Sequence, residues 1–219
     1  MILYLFDIDG TLLHAHGSGR GAFDSVMADR HGVANASEGI RYGGKTDPAI
    51  VEEIFAARLG RPPTESERAG FLDAYVPRLR ALLAEHGVQV LGGVVETLRY
   101  LSGQRVRLGI ATGNIRAGAD AKLGAAGIAE WFDCGGYGCD SPLRAELVTR
   151  AIQRGREGRE VTEVVVVGDT IYDIAAARAC SATVVAVATG SDPAAKLGDA
   201  DAVLSTMAEL PAWHAERFR

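Results

Sequence analysis

Four short segments of the chain are apolar at nearly every position: ILYLFDI (2–8), VRLGIAT (106–112), VVVVG (164–168) and TVVAVAT (183–189). A strand with one wet face alternates apolar and polar residues. These do not, so they predict parallel strands buried on both faces. Each runs into a polar or glycine-containing loop. A helical period then takes over at 114–124, 142–155, 170–180 and 193–197, with Gly124, Gly127 and Gly155 as stops. A last short strand is predicted at 202–204. Strands alternating with helices in this way predict a doubly wound α/β domain built on a parallel sheet.

The rhythm fails between residue 15 and residue 85. GAFDSVMADRHG, DPAIVEEIFAARLG and ESERAGFLDAYVPRLRALLAEHG all carry helical periodicity, and no strand pattern separates them. About 70 residues is far too long for an ordinary connection between strands. The expectation is therefore a core of residues 1–14 and 86–219 with an all-helical subdomain, 15–85, inserted after the first strand.

Composition narrows the classes. The chain has 219 residues, 47% of them apolar and 23% charged, as in an ordinary globular domain. A net charge of −5 without a basic block argues against nucleic acid or a membrane surface as partner. No apolar run approaches the ~20 residues of a membrane span, and the first residues lack the basic start of a signal peptide. Cys134, Cys139 and Cys180 have no metal-site spacing and read as free thiols of a reducing compartment. A cytoplasmic protein is expected, monomeric or homodimeric.

Ligands of open parallel sheets bind beyond the carboxyl ends of the strands, which directs attention to four loops: DIDGT, TGN, CDSPLR and GDTIYD. Asp7 and Asp169 each directly follow a strand. If those strands are neighbours, Asp7, Asp9 and Asp169 converge, and three carboxylates in a small volume call for a counter-charge such as Mg2+. Asp173 reads equally as part of that cluster or as the capping-box partner of Thr170. Thr112, Gly113 and Asn114 offer a hydroxyl, close backbone approach and a helix cap, which together suit an anion; as an isolated tripeptide they are a strand-to-helix turn. With Ser141 and Pro142 starting a helix, Arg144 falls in its first turn, against the helix dipole, where a bound anion would favour it. The glycine clusters GSGRG and GGYG lack dinucleotide-binding spacing, and the histidines show no metal or triad spacing.

Taken in order, DIDGT, ATGN, Arg144 and GDTIYD resemble the motifs of the haloacid dehalogenase superfamily hydrolases over nearly the whole chain. The resemblance implies that Asp7 attacks phosphorus to form an aspartyl-phosphate, while Asp9 protonates the leaving oxygen and then activates water. It implies Mg2+ held by Asp7, the Asp9 carbonyl, Asp169 and Asp173. It makes Thr112, Gly113, Asn114 and Arg144 the phosphate-binding set. Lys122 competes with Arg144 for the third motif but lies well along a helix. The insertion 15–85 is similar to the helical cap of many members, and its loop RYGGKTD to the substrate loop of phosphoglycolate phosphatases. Lys45, Thr46 and Asp47 are then the specificity residues, with Lys45 where arginine is common, although a solvated loop lysine is as good a reading of Lys45.

The implied function is a Mg2+-dependent phosphomonoesterase acting on a small phosphorylated metabolite, phosphoglycolate first among them. The alternatives are a phosphomutase of the β-phosphoglucomutase type and, in a different class, a non-hydrolytic phosphoaspartate signalling module. The latter is disfavoured by the length and the insertion.

Overall fold

A computed structural model describes residues 1–218. The chain runs β1 (Ile2–Phe6), β2 (Leu13–His14), α1 (Ser18–His31), α2 (Asp47–Leu59), α3 (Glu65–His86), β3 (Gln89–Val90), α4 (Val94–Ser102), β4 (Val106–Ala111), α5 (Arg116–Ala125), β5 (Cys134–Gly136), α6 (Arg144–Arg156), β6 (Glu163–Gly168), α7 (Ile171–Ala179), β7 (Thr183–Val187), β8 (Ala202–Leu204) and α8 (Leu210–Arg217). Six strands form one parallel sheet in the order β5-β4-β1-β6-β7-β8. This is the predicted α/β architecture.

The uninterrupted apolar runs are explained by burial on two sides. Along β1, Tyr4 and Phe6 enter one core with Val165, Val167, Leu98 and Leu210; Leu3 and Leu5 enter the other with Val166, Leu147 and Ile174. All four β1 residues are fully buried. Each such side chain removed from water contributes on the order of 1.5–3 kcal/mol. The second layer packs closely because Gly155 lies inside α6, where a Cβ would stand 2.3 Å from Leu3 Cδ2. Gly155 is therefore a packing glycine and not the helix stop that the sequence predicts.

Other boundaries also move. The 193–197 segment is only a short 3-10 turn, Ala194–Lys196. α6 begins at Arg144 itself, two residues later than expected, because Ser141 Oγ donates to Glu146 and accepts from the Leu143 N–H at 3.0 Å instead of capping at its own position.

Residues between β2 and β3 form α1, α2 and α3, with no strand among them. Thr46 and Thr64 cap α2 and α3. The helices close on an aromatic cluster in which Phe23 stands 4.6 Å from Tyr75 and 5.4 Å from Phe71. The chain enters and leaves this helical unit through a two-residue antiparallel ribbon, Leu13 beside Val90 and His14 beside Gln89. Among the described residues no helix is long and apolar enough to cross a membrane.

Candidate active site

β1 pairs with β4 on one edge and β6 on the other, with Phe6 opposite Ile110 and Val167. Their carboxyl ends therefore lie side by side and deliver Asp7, Thr112 and Asp169 to one place. Carboxylate oxygens of Asp7, Asp169 and Asp173 all lie within 4.8 Å of one another, and all three residues are buried. Asp169 is enclosed by glycines: a Cβ on Gly10 or Gly190 would stand 2.7 or 1.9 Å from its Oδ2. The Ser191 N–H donates to Asp169 Oδ2 at 2.6 Å and the Thr11 hydroxyl to Oδ1 at 3.3 Å. Burial pushes the carboxyls of both Asp7 and Asp169 above the usual carboxylate range. Arg144 works against this at each, and the neighbouring carboxylates add to it.

Arg144 reaches this cluster from the first residue of α6. Its Nη2 lies 2.9 Å from Asp7 Oδ1 and 2.5 Å from Asp173 Oδ1. Asp173 also accepts from the Thr170 N–H at 3.0 Å and from its hydroxyl at 2.6 Å, completing a capping box. Both readings of Asp173 hold together: one oxygen caps α7 and the other anchors Arg144. Burial disfavours the guanidinium charge, and Asp173 and Asp7 more than restore it. One buried cation faces three buried carboxylates, so the cluster has room for a further cation. Its all-oxygen, hard donor set suits Mg2+.

Asp9 stands apart from that cluster and has its own cation. Lys122 Nζ donates to Asp9 Oδ1 at 2.8 Å, to Oδ2 at 2.6 Å and to Asn114 Oδ1 at 2.7 Å. The Asn114 amide donates to Asp9 Oδ2 and to Thr112 Oγ1, each at 2.8 Å. Burial opposes charge on Asp9, but Lys122 and Asn114 together hold its carboxyl below the ordinary range. Asn114 is consequently not the expected cap of α5. Ile115 occupies the cap position, and the Ile115 N–H donates to Asp47 Oδ2 at 2.8 Å.

Asp47 belongs to the helical unit. Its own N–H donates to the Gly113 carbonyl at 2.8 Å, so residues 45–47 lie directly on the 112–114 turn. A Cβ on Gly113 would stand 2.1 Å from the Lys45 carbonyl oxygen. Thr46 caps α2, accepting from the Ala49 N–H at 3.4 Å. Lys45 pairs with Glu53 on the wall of the cavity. That cavity is about 430 Å³, with Asp7, Asp9, Thr112, Asn114 and Arg144 on its core side and Phe23, Tyr42, Ile50 and Tyr75 on its helical side. Of the core residues expected to carry chemistry, Asp7, Asp9, Thr112, Gly113, Asn114 and Arg144 line this cavity, while Asp169 and Asp173 lie behind it against Asp7.

The sequence reading missed three contributors. A place well along a helix argues against Lys122, yet side chains of a helix tilt toward its N-terminus, and here the ammonium returns to the loop that starts α5. Ser191 and Thr11 hold Asp169 through contacts that no motif spacing displays.

A parallel sheet with paired aspartates at its central strand end defines an α/β enzyme with an acidic, cation-ready centre. The chain belongs to the haloacid dehalogenase-like hydrolases, whose sequence profile matches residues 3–181. It is 30% identical over 228 residues to a phosphoglycolate phosphatase of Rhodospirillum rubrum, covering 95% of this chain and 89% of that protein. It is 27% identical over 223 residues to the probable phosphatase IndB of Dickeya dadantii, covering 95% and 91%. The fold is similar to that of CbbY from Rhodobacter sphaeroides, solved in complex with phosphate, with a TM-score of 0.76 at 21% identity over 95% of each chain.

Proposed function

We propose that the protein is a Mg2+-dependent phosphomonoesterase that works through an aspartyl-phosphate on Asp7. The observation that carries this reading is the joint placement of Asp7 and Asp9 on one cavity, with Asp7 alone drawn into the Asp169–Asp173 cluster. In the first half-reaction an Asp7 oxygen attacks phosphorus and the bond to the ester oxygen breaks, as the minor, protonated form of Asp9 gives that oxygen its proton. In the second, Asp9 takes a proton from water as the water attacks the phosphoryl group, and Asp7 is released with inorganic phosphate.

Arg144, the Thr112 hydroxyl and the turn through Gly113 and Asn114 face the developing charge on the phosphoryl oxygens, where fixed donors in a dry site contribute most. Asp7, the Asp9 carbonyl, Asp169 and Asp173 would hold Mg2+, which when bound offsets negative charge between Asp7 and the phosphoryl group. Asp173 serves chiefly by fixing Arg144, since its carboxylate already accepts four hydrogen bonds, two of them from Arg144.

Residues 15–85 act as the cap and residues 1–14 and 86–219 as the catalytic core, with the two-residue ribbon where the cap joins. Docked through Asp47, the cap closes the cavity and excludes water. The substrate is a small phosphorylated metabolite. Phosphoglycolate is the first candidate, supported by the relatives named for that activity, with Lys45, like Arg20, a cation of the cap on the cavity wall.

The test is phosphate release from a panel of small phosphomonoesters, with and without Mg2+, beside Asp7→Asn. Release that requires Mg2+ and vanishes in the variant is expected. An intact, Mg2+-binding protein that hydrolyses none of them would remove the phosphatase reading in favour of a mutase.

A further inference from the structure

Two carboxylates share the cavity, and each has a cation of its own from a different helix. Arg144 holds Asp7, and Lys122 holds Asp9. The Lys122 side chain is only 6% exposed, whereas that of Asp9 is 45% exposed, toward the cavity. An ammonium buried to this degree needs all of its donors filled, and Lys122 fills them on the two Asp9 oxygens and the Asn114 carbonyl oxygen. The carboxylate it grips would otherwise be free to turn about its own side-chain bonds in open space.

The origin of the grip is local. β4 ends in Thr112, the turn carries Asn114, and α5 starts at Arg116, so Lys122 sits on the helix that this turn initiates. One short stretch of chain thus supplies both anchors of Asp9, and they meet it together: Asn114 Nδ2 on Oδ2 and Lys122 Nζ on both oxygens. The cap covers the ammonium at ordinary contact distance. A Cβ on Gly19 of α1 would approach Lys122 Nζ to 3.9 Å and the Tyr75 hydroxyl to 3.8 Å.

We propose that Lys122 is the positioning residue for Asp9, clamping its carboxylate with Asn114 so that the proton carrier stands at a fixed place beside the Asp7 nucleophile. The role rests on the phosphatase reading above. Lys122 acts through Asp9 and takes no part in bond making. Loss of the clamp leaves the contacts of Asp7, Arg144 and the acidic cluster in place; it removes the fixed placement of the Asp9 carboxylate and the cation that holds that carboxyl below the ordinary range. A misplacement of about 1 Å in such a group costs on the order of 10²-fold in rate.

The experiment compares wild type, Lys122→Met and Lys122→Arg for kcat, KM and inhibition by inorganic phosphate, assayed well below the melting temperature of each. Lys122→Met is expected to lose about 10²-fold in kcat, with KM and the phosphate inhibition constant within about threefold of wild type. Lys122→Arg, which keeps a charged donor, should regain at least about tenfold of that loss. Should Lys122→Met not fold, Lys122→Gln replaces it, with the same loss expected and the same recovery by arginine. A methionine or glutamine variant that matches wild type in kcat overturns the proposal alone. So does a variant whose KM and phosphate inhibition fail in step with kcat, because the residue then supports the site as a whole. A wild type that hydrolyses no ester overturns the phosphatase reading, and the role of Lys122 falls with it.

Discussion

Asp47, the first residue of α2, accepts a hydrogen bond from the backbone N–H of Ile115 at 2.8 Å, although 68 positions separate them. The contact gives α5 the cap that its own sequence lacks and docks the helical unit on the 112–114 turn. It has a measurable cost. Burial pushes the Asp47 carboxyl up to about 6 from 3.8, against the pull of Lys122 and the Ile115 N–H. The folded protein therefore holds this proton more tightly than the unfolded chain does. The group's favourable contribution is complete below pH 4 and is lost as pH rises through the folded value.

Asp47→Asn keeps an oxygen for the Ile115 N–H and removes the buried charge. The stability of the variant relative to wild type is expected to be near zero at pH 4 and to climb to at most about 3 kcal/mol by pH 7.5, the free-energy equivalent of that displacement. Urea denaturation of both proteins at the two pH values measures it. A difference that stays flat or falls with pH would show that Asp47 is not buried against Ile115 in solution.

Close docking of the helical unit also rests on Gly113, where a Cβ would stand 2.1 Å from the Lys45 carbonyl oxygen. A backbone atom cannot yield as a flexible side chain can, so Gly113→Ala must push the cap loop away from the turn. Activity should fall at least tenfold while the core stays folded, as the cavity no longer closes. Steady-state kinetics beside a far-UV and near-UV spectrum of the variant separates these effects. Wild-type activity would mean that the cap does not seat on the turn during catalysis.

What the sequence could and could not display follows from range. Asp7 and Asp169 were legible because each ends a run of apolar residues, and a polar residue there must face a ligand or water. Arg144 was legible because a cation at a helix start opposes the dipole. Lys122 was not: a lysine on an amphipathic helix has the same pattern whether its stem runs to solvent or doubles back along the helix. β5 also escaped, since Cys134–Gly136 is half hidden by two glycines of low strand propensity. Gly136 is there for space, as a Cβ would stand 1.9 Å from the Leu147 carbonyl oxygen. The two-residue ribbon of β2 and β3 depends on pairing across the whole insertion, which no local pattern carries.

Mg2+ should stabilise the fold because it answers the excess of buried carboxylates. At one hundred times its dissociation constant a ligand adds about 2.7 kcal/mol, visible as a rise in melting temperature that EDTA reverses. Asp169→Asn can keep its acceptor for the Ser191 N–H and turn its amide to the Thr11 oxygen, so the variant should fold. It is expected to lose the Mg2+-dependent rise. Scanning calorimetry with and without Mg2+ decides, and an undiminished rise would place the metal elsewhere.

Arg144 is shared between Asp7 and Asp173, both buried. Arg144→Met leaves three carboxylates without their cation and should destabilise the metal-free protein by about 3–5 kcal/mol. Arg144→Lys restores charge but presents a single point in place of a planar fork. It should fold with most of the lost stability recovered and yet remain at least tenfold slower than wild type, because one ammonium cannot hold Asp173 and face the phosphoryl group together. Denaturation and kinetics on the pair test this; equal activity of lysine and arginine would show that the fork is not used.

Lys45, proposed above as a specificity residue, has its charge answered by Glu53. Both side chains are partly exposed, 26% and 42%, so the pair contributes at most about 1 kcal/mol to stability and can be broken without harm to the fold. Glu53→Gln releases the ammonium to the cavity. If phosphoglycolate is the substrate, its carboxylate gains an uncompensated cation, and kcat/KM for it should rise several-fold relative to a phosphomonoester with a neutral leaving group. The ratio of the two specificity constants in wild type and variant is the measurement. A ratio that does not move would mean that Lys45 never meets the leaving group, and the carboxylate-bearing substrate would lose Lys45 as its support.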